Sequence, residues 1–224
     1  MWDRFQAEIP KLGGTMRPKK SSDVFSYVED EAGTHVTVKA LCLHLKEKAA
    51  AIQSQIFVAL EGRVSFDPSS TRKDLRTSDF QTRVAYFKEI EPRRLRHIYG
   101  IHFDHDDKLP AHPVFHSQIS SIRELAGVVN DRYHRTFEPV AEEDDFVRGL
   151  LANVRIPTAH MDVFSVLLQV LGDHFVNEMS DAMIRKSFDL LTSASGTFKS
   201  CMTGASRLGA VLDQRCFRAS HWYA

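Results

Sequence analysis

What most constrains the fold of this chain is a change in the period of its apolar residues near Pro157. Between about Val24 and Ser120, β-branched and aromatic residues alternate with polar ones, as in Thr34–Lys39, Phe80–Phe87 and Leu95–Asp104. A period of two puts alternate side chains on one face of a strand. Beyond Pro157, residues Phe164, Leu167, Leu168, Leu171 and Phe175 recur at steps of three and four, the stripe of an amphipathic helix. Ser180 is placed to cap a second helix carrying Met183, Ile184, Phe188 and Leu191, and a third takes in Leu208, Val211, Leu212 and Cys216. Strands followed by helices predict an α+β fold, with a mostly antiparallel sheet in the N-terminal two-thirds (about 24–120) and a C-terminal layer of about three helices (about 158–220). The roughly 65 residues after Pro157 are few for an independent core, so residues 1–224 are expected to form a single domain.

Composition narrows the functional classes. Lys plus Arg and Asp plus Glu both number 29, so no global field favours nucleic acid or an anionic membrane, and such a surface has to be local. The three cysteines, Cys42, Cys201 and Cys216, lack metal-site spacing and are odd in number, which suits a reducing compartment and a cytoplasmic protein. Neither a signal peptide nor a transmembrane helix is expected, because the most apolar segment, Met161–Phe175, is interrupted by Asp162, Ser165, Gln169 and Asp173. Two stretches read as connections: Asp67–Lys73, with turn residues followed by charge, and the acidic run Glu142–Asp145.

Five of the eleven histidines, His97, His102, His105, His112 and His116, fall in one window together with Asp104, Asp106 and Asp107. If Leu95–Asp104 is a regular strand, Leu95, His97, Tyr99, Ile101 and Phe103 face one way and His102 and Asp104 the other, which removes His97 from the group. The turn-like Asp106–Pro110 would return the chain so that His112 or His116, on a strand ending near Ser120, lies beside His102. A slip of one residue would carry His116 to the opposite face, so the register decides the geometry. Three readings follow. His102, Asp104 and His116 suit a divalent metal (Mn, Zn or Mg, or ferrous iron), with positions left open for water or substrate, which predicts a hydrolase. Alternatively His112 and His116 act as a metal-free acid–base pair on a phosphodiester, as in a ribonuclease, or the histidines only satisfy backbone groups at a tight turn.

The chain lacks the GxxxxGK, GxGxxG, GxSxG and HExxH patterns, which argues against an NTPase, a dinucleotide enzyme, an α/β-hydrolase and a zincin. Basic groups at Arg17–Lys20, at Arg72, Lys73 and Arg76, and at Arg93, Arg94 and Arg96 are candidate phosphate contacts, with nucleic acid as a secondary partner. Tyr86, Phe87 and Tyr99 at strand positions read as core or cross-strand pairs before base-stacking groups.

The run His112-Pro113-Val114-Phe115-His116 with Gln118, then Val154-Arg155-Ile156-Pro157 and a helix containing Phe164, resembles a bacterial domain family of unknown function. Its marks are a His-Pro-x-x-His strand motif and an Arg-Ile-Pro turn. The resemblance implies a component of bacterial accessory or mobile-element operons, and so a partner-dependent subunit in anti-phage defence. The expected partner is another protein of the same operon or a second copy of the chain. Independently of the resemblance, Pro113 biases His112 toward an extended strand entry. Arg155 at the same sheet edge would complete a His112, His116, Arg155 group suited to a phosphate, or would pair with Asp104 to fasten helices to the sheet.

Overall fold

In a computed structural model, the described residues are 2–12, 14–46, 55–69, 77–105, 115–120, 122–133, 138–139, 154–158, 161–176 and 182–199. The chain opens with a short helix, α1 (Trp2–Glu8), and then builds strands β1 (Thr15–Arg17), β2 (Phe25–Asp30), β3 (Gly33–Lys46), β4 (Gln55–Phe66), β5 (Thr77–Glu91), β6 (Arg94–His105) and β7 (Phe115–Ser120). Helix α2 (Ala126–Tyr133) and the short strands β8 (Glu138–Pro139) and β9 (Arg155–Pro157) follow, and helices α3 (Val163–Phe175) and α4 (Ala182–Lys199) complete the described chain. The strands form one sheet in the order β1-β3-β4-β5-β6-β7-β9, with β2 also on β3 and β8 on β6. Every pairing is antiparallel except that of β8 with β6. The α+β class is therefore as expected from the change of period.

Each face of the sheet has its own cover. The first carries Val58, Leu60, Val64, Phe80, Val84, Tyr86, Phe103 and Phe115, and α3 and α1 close over it through Phe164, Leu167, Leu171, Phe5 and Ile9. Leu191 of α4 joins the same core. Burial of this set is the dominant stabilising term, since each fully buried large apolar side chain contributes roughly 1.5–3 kcal/mol. Asp162 caps α3: its Oδ1 accepts from Phe164 N at 2.8 Å and Ser165 N at 3.3 Å, and its Oδ2 accepts from Ser165 Oγ at 3.0 Å.

The second face is divided. Cys42, Phe57, Ala59, Ala85, Phe87 and Leu95 form an apolar half, covered by Ile122, Leu125 and Val129 from a 3-10 turn (Arg123–Leu125) and α2. Tyr133 at the end of α2 pins this cover, donating its hydroxyl to Thr15 O at 3.1 Å and lying within 3.3 Å of Cys42 O. The other half is polar, and helix α2 does not extend over it.

Several expectations need correcting. Ile98 is an extra residue in β6: Tyr86 pairs with Tyr99, but Phe87 pairs with His97. This β-bulge reverses the alternation, so Leu95 and His97 lie on the opposite face from Ile101 and Phe103. His97 packs its ring 5.3 Å from Phe87. The Arg-Ile-Pro segment is a strand, β9, and not a turn, because β7 offers it a free edge. Helix α1 was not anticipated; Trp2, Phe5, Ile9 and Leu12 are buried. Tyr86 and Phe87 are core residues, and Tyr99 stacks on Tyr86 with ring centroids 4.6 Å apart. The expected Ser180 cap, the third helix around Leu208, the Asp106–Pro110 turn and the acidic run Glu142–Asp145 lie outside the described residues, as does Ser70–Lys73 of the expected loop.

Candidate metal centre

The polar half of the second face is a lattice set by strand register. One row crosses the sheet as Glu61, Arg83, His102, Gln118 and Arg155, and the next as Arg63, Gln81, Asp104, His116 and Pro157. Directly opposed residues in an antiparallel pair share a face and carry their Cβ atoms about 4.5–5.5 Å apart. His102 and Asp104, two apart on β6, and His116 and Gln118, two apart on β7, therefore form a square block of side chains. The reason is local: β6 alternates regularly after its bulge, and Asp104 pairs with His116 rather than with a neighbour.

One nitrogen or oxygen from each of His102, Asp104 and His116 lies within 4.8 Å of the others, an arrangement that can hold one metal ion. His102 Nε2 is 3.2 Å from Asp104 Oδ2 and 2.9 Å from Gln118 Oε1. Both of those oxygens are acceptors, so the neutral imidazole carries its proton on Nε2 and donates it to Gln118. His116 is 3% exposed, whereas the His102 and Asp104 side chains keep about a quarter of their surface, 24% and 23%. The group therefore has a closed inner side and a side open to solvent. Asp104 Oδ1 is buried and has no hydrogen-bond partner among the described residues. Burying an unsatisfied carboxylate oxygen is costly, and a cation would offset that cost.

Among the described side chains around the block, the carboxylates of Glu61, Asp79, Asp104 and Glu124 outnumber the guanidiniums of Arg63 and Arg83. Arg83 Nη1 donates to Glu61 at 2.6 Å, and Arg83 Nη2 donates to Glu124 of the 3-10 turn. Arg63 pairs with Asp79 at 2.8 Å. Both guanidiniums are thus matched by carboxylates, and Asp104 adds a further negative charge on this face. At the far end His35 bridges Ser65 (2.9 Å) and Asp30 (3.3 Å), tying the β2–β3 hairpin to β4.

Of the residues singled out by sequence, the structure brings His102, Asp104 and His116 together. Arg155 takes the register position opposite Gln118, and His112 lies outside the described residues. His97 is on the same face as His102 but five residues along the strand, roughly 16 Å away at about 3.3 Å per residue. His105 belongs to the other face, where its ring lies 5.4 Å from that of Phe115. Sequence reasoning passed over Gln118 as a site residue and Arg83 altogether. Only the register of β7 against β6, and of β6 against β5, marks them as neighbours of His102. No protein-family model, curated protein or solved structure matches the chain.

Proposed function

We propose that His102, Asp104 and His116 hold a divalent cation and that the protein is a metal-dependent hydrolase acting on a phosphoester, in the class of nucleases and other phosphoesterases. The observation that carries this reading is the buried, unpartnered Oδ1 of Asp104 inside a cluster of two imidazoles and one carboxylate. Two neutral nitrogens and one carboxylate leave coordination positions for water and substrate, and a bound ion of this kind both polarises a phosphoryl oxygen and acidifies water. The charge balance supports the same order of events. Arg63 and Arg83 are already matched by carboxylates, so a bound metal ion would supply positive charge for a phosphate that these two do not.

A partner-dependent role in a cytoplasmic bacterial defence assembly is a second reading that sits beside the first. It draws on the edge strand β2, where Tyr27 is 75% and Val28 62% exposed. Apolar side chains on both sides of an unpaired edge are a surface for another chain, and light scattering across a concentration series, alone and with its operon neighbours, tests it. Among the described residues no helix is long and apolar enough to cross a membrane.

The decisive experiment is thermal unfolding with added Mn²⁺, Zn²⁺ or Mg²⁺, beside His102→Ala and His116→Ala. A ligand at 100 times its Kd stabilises the folded state by about 2.7 kcal/mol, which in a chain of this size raises Tm by roughly 5–10 °C. The expected result is a shift with at least one ion that disappears in both variants, followed by metal-dependent cleavage of bis-p-nitrophenyl phosphate. No shift with any of the three ions, or a shift that survives both substitutions, overturns the reading.

A further inference from the structure

The cross-strand partner of His102 completes the ligand set. Gln118 stands opposite it on β7, and its Oε1 is 2.9 Å from the same Nε2 that faces Asp104 Oδ2 at 3.2 Å. Ligands bonded at about 2.1–2.2 Å lie roughly 3.0 Å apart when adjacent around an octahedral ion and roughly 3.5 Å apart around a tetrahedral one. Both oxygens therefore already stand off His102 Nε2 by the spacing of octahedral neighbours. Gln118 Oε1 lies on the Nε2 proton, whose place a cation would take with the imidazole proton moving to Nδ1, and Asp104 Oδ2 stands to one side of it.

Building on the metal-dependent reading above, we infer that Gln118 is a fourth protein ligand and that the site takes a six-coordinate ion of the Mn²⁺ type. The donor set disfavours Mg²⁺ and Zn²⁺ on different grounds, while ferrous iron accepts the same octahedral set as Mn²⁺. Two imidazoles are poor ligands for Mg²⁺, which keeps to carboxylate, carbonyl and water oxygens, and four-coordinate Zn²⁺ sets its ligands at the wider tetrahedral spacing. A carboxamide oxygen beside a carboxylate shifts the balance of two nitrogens toward the harder, octahedral end of the series. Four protein ligands leave two of six positions on the solvent side, one for water and one for an oxygen of the substrate.

The test is Mn²⁺ affinity of the full chain by titration calorimetry and by the paramagnetic resonance signal of free Mn²⁺, for the wild type, Gln118→Leu, Gln118→Glu and His116→Ala. Gln118→Leu is expected to weaken Mn²⁺ binding ten- to a hundredfold, and Gln118→Glu, which restores an oxygen donor, to bind at least as tightly as the wild type. Bound Co²⁺ is expected to show the weak visible bands of a six-coordinate ion, and not the intense bands of a tetrahedral one. If Gln118→Leu binds Mn²⁺ as tightly as the wild type, or more tightly, Gln118 merely holds the apo imidazole and the inference is overturned while the three-ligand site stands. If the leucine variant fails to fold, the decision rests on Gln118→Glu, where binding weaker than the wild type overturns the inference. A wild-type chain that binds no Mn²⁺ overturns the inference, and the metal-dependent reading falls with it only if Zn²⁺ and Mg²⁺ also fail to bind.

Discussion

Replacing Asp104 by leucine is expected to make the metal-free protein more stable, the opposite of the usual effect of removing a side chain from a folded chain. The carboxylate makes one contact that leucine loses, the 3.2 Å approach of Oδ2 to His102 Nε2. That pair is partly exposed, so its contribution lies within about 0–1 kcal/mol. His102 is not left orphaned by the change, because Gln118 still accepts its Nε2 proton at 2.9 Å. Against this small loss stands Oδ1, buried and without a hydrogen-bond partner among the described residues. An unsatisfied buried polar group costs about 1–3 kcal/mol, and exchange for an apolar group of like shape removes that cost. The balance favours the variant by roughly 1–2 kcal/mol, or a Tm higher by about 2–8 °C at about 2–4 °C per kcal/mol. Differential scanning calorimetry in the presence of a chelator measures it. The same variant should show no thermal shift with Mn²⁺. A metal-free Tm that falls by more than about 3 °C would show that the carboxylate serves the fold, and the argument from its unpartnered oxygen would be refuted.

Other consequences of the structure are open to direct measurement. Asp162→Ala removes three acceptor contacts at the start of α3 and should lower stability by about 1–2 kcal/mol; denaturant titration with an unchanged midpoint would contradict the capping role. Gly100→Ala would set a methyl group 2.6 Å from Ser120 O and 2.8 Å from Ile122 Cγ1, so β7 must move away from β6. A loss of about 1–3 kcal/mol is expected, with weaker metal binding as a second readout, and an unchanged Tm would count against the close approach. The Lys11 ammonium bonded to Glu8 at 2.8 Å outweighs burial and holds the Glu8 carboxyl below its usual range. Stability from that lowering is present above the unfolded-state value and is lost as pH falls through the folded-state value, so Glu8→Gln should flatten the acid side of a plot of Tm against pH. Burial pushes the Cys42 thiol up, and the native protein should resist alkylation there until it unfolds, as mass spectrometry of the labelled peptide would show.

Much of the architecture could be read from residue order because the signals are long. β3, β5 and β6 are long strands that alternate regularly on either side of their bulges, and α3 carries a clear apolar stripe opened by an acidic cap. The three proposed ligands were also within reach, since His102 and Asp104 are two apart on one strand and the next strand starts ten residues on. What could not be read depended on partners. The bulge at Ile98 is one residue in twelve and leaves no compositional mark, yet it moved His97 across the sheet. β9 is three residues ending in proline, too short for any period, and exists because β7 presents an edge. Gln118 looks like an ordinary strand amide until the register shows that it stands opposite His102.

Adjacent residues of β7 serve opposite masters. Phe115 is buried in the apolar core, while His116, one position on, joins the polar group on the other face. Any shift of this strand by one residue would drive His116 and Gln118 into the core and expel Phe115, so the demand for an apolar interior also enforces the spacing of the ligands. In evolutionary terms, the site is exposed to insertions and deletions far more than to drift. One codon gained or lost within Phe115–Ser120 would abolish the packing and the proposed chemistry together. Homologues that keep the His102, Asp104 and His116 block should therefore not vary in length within β7.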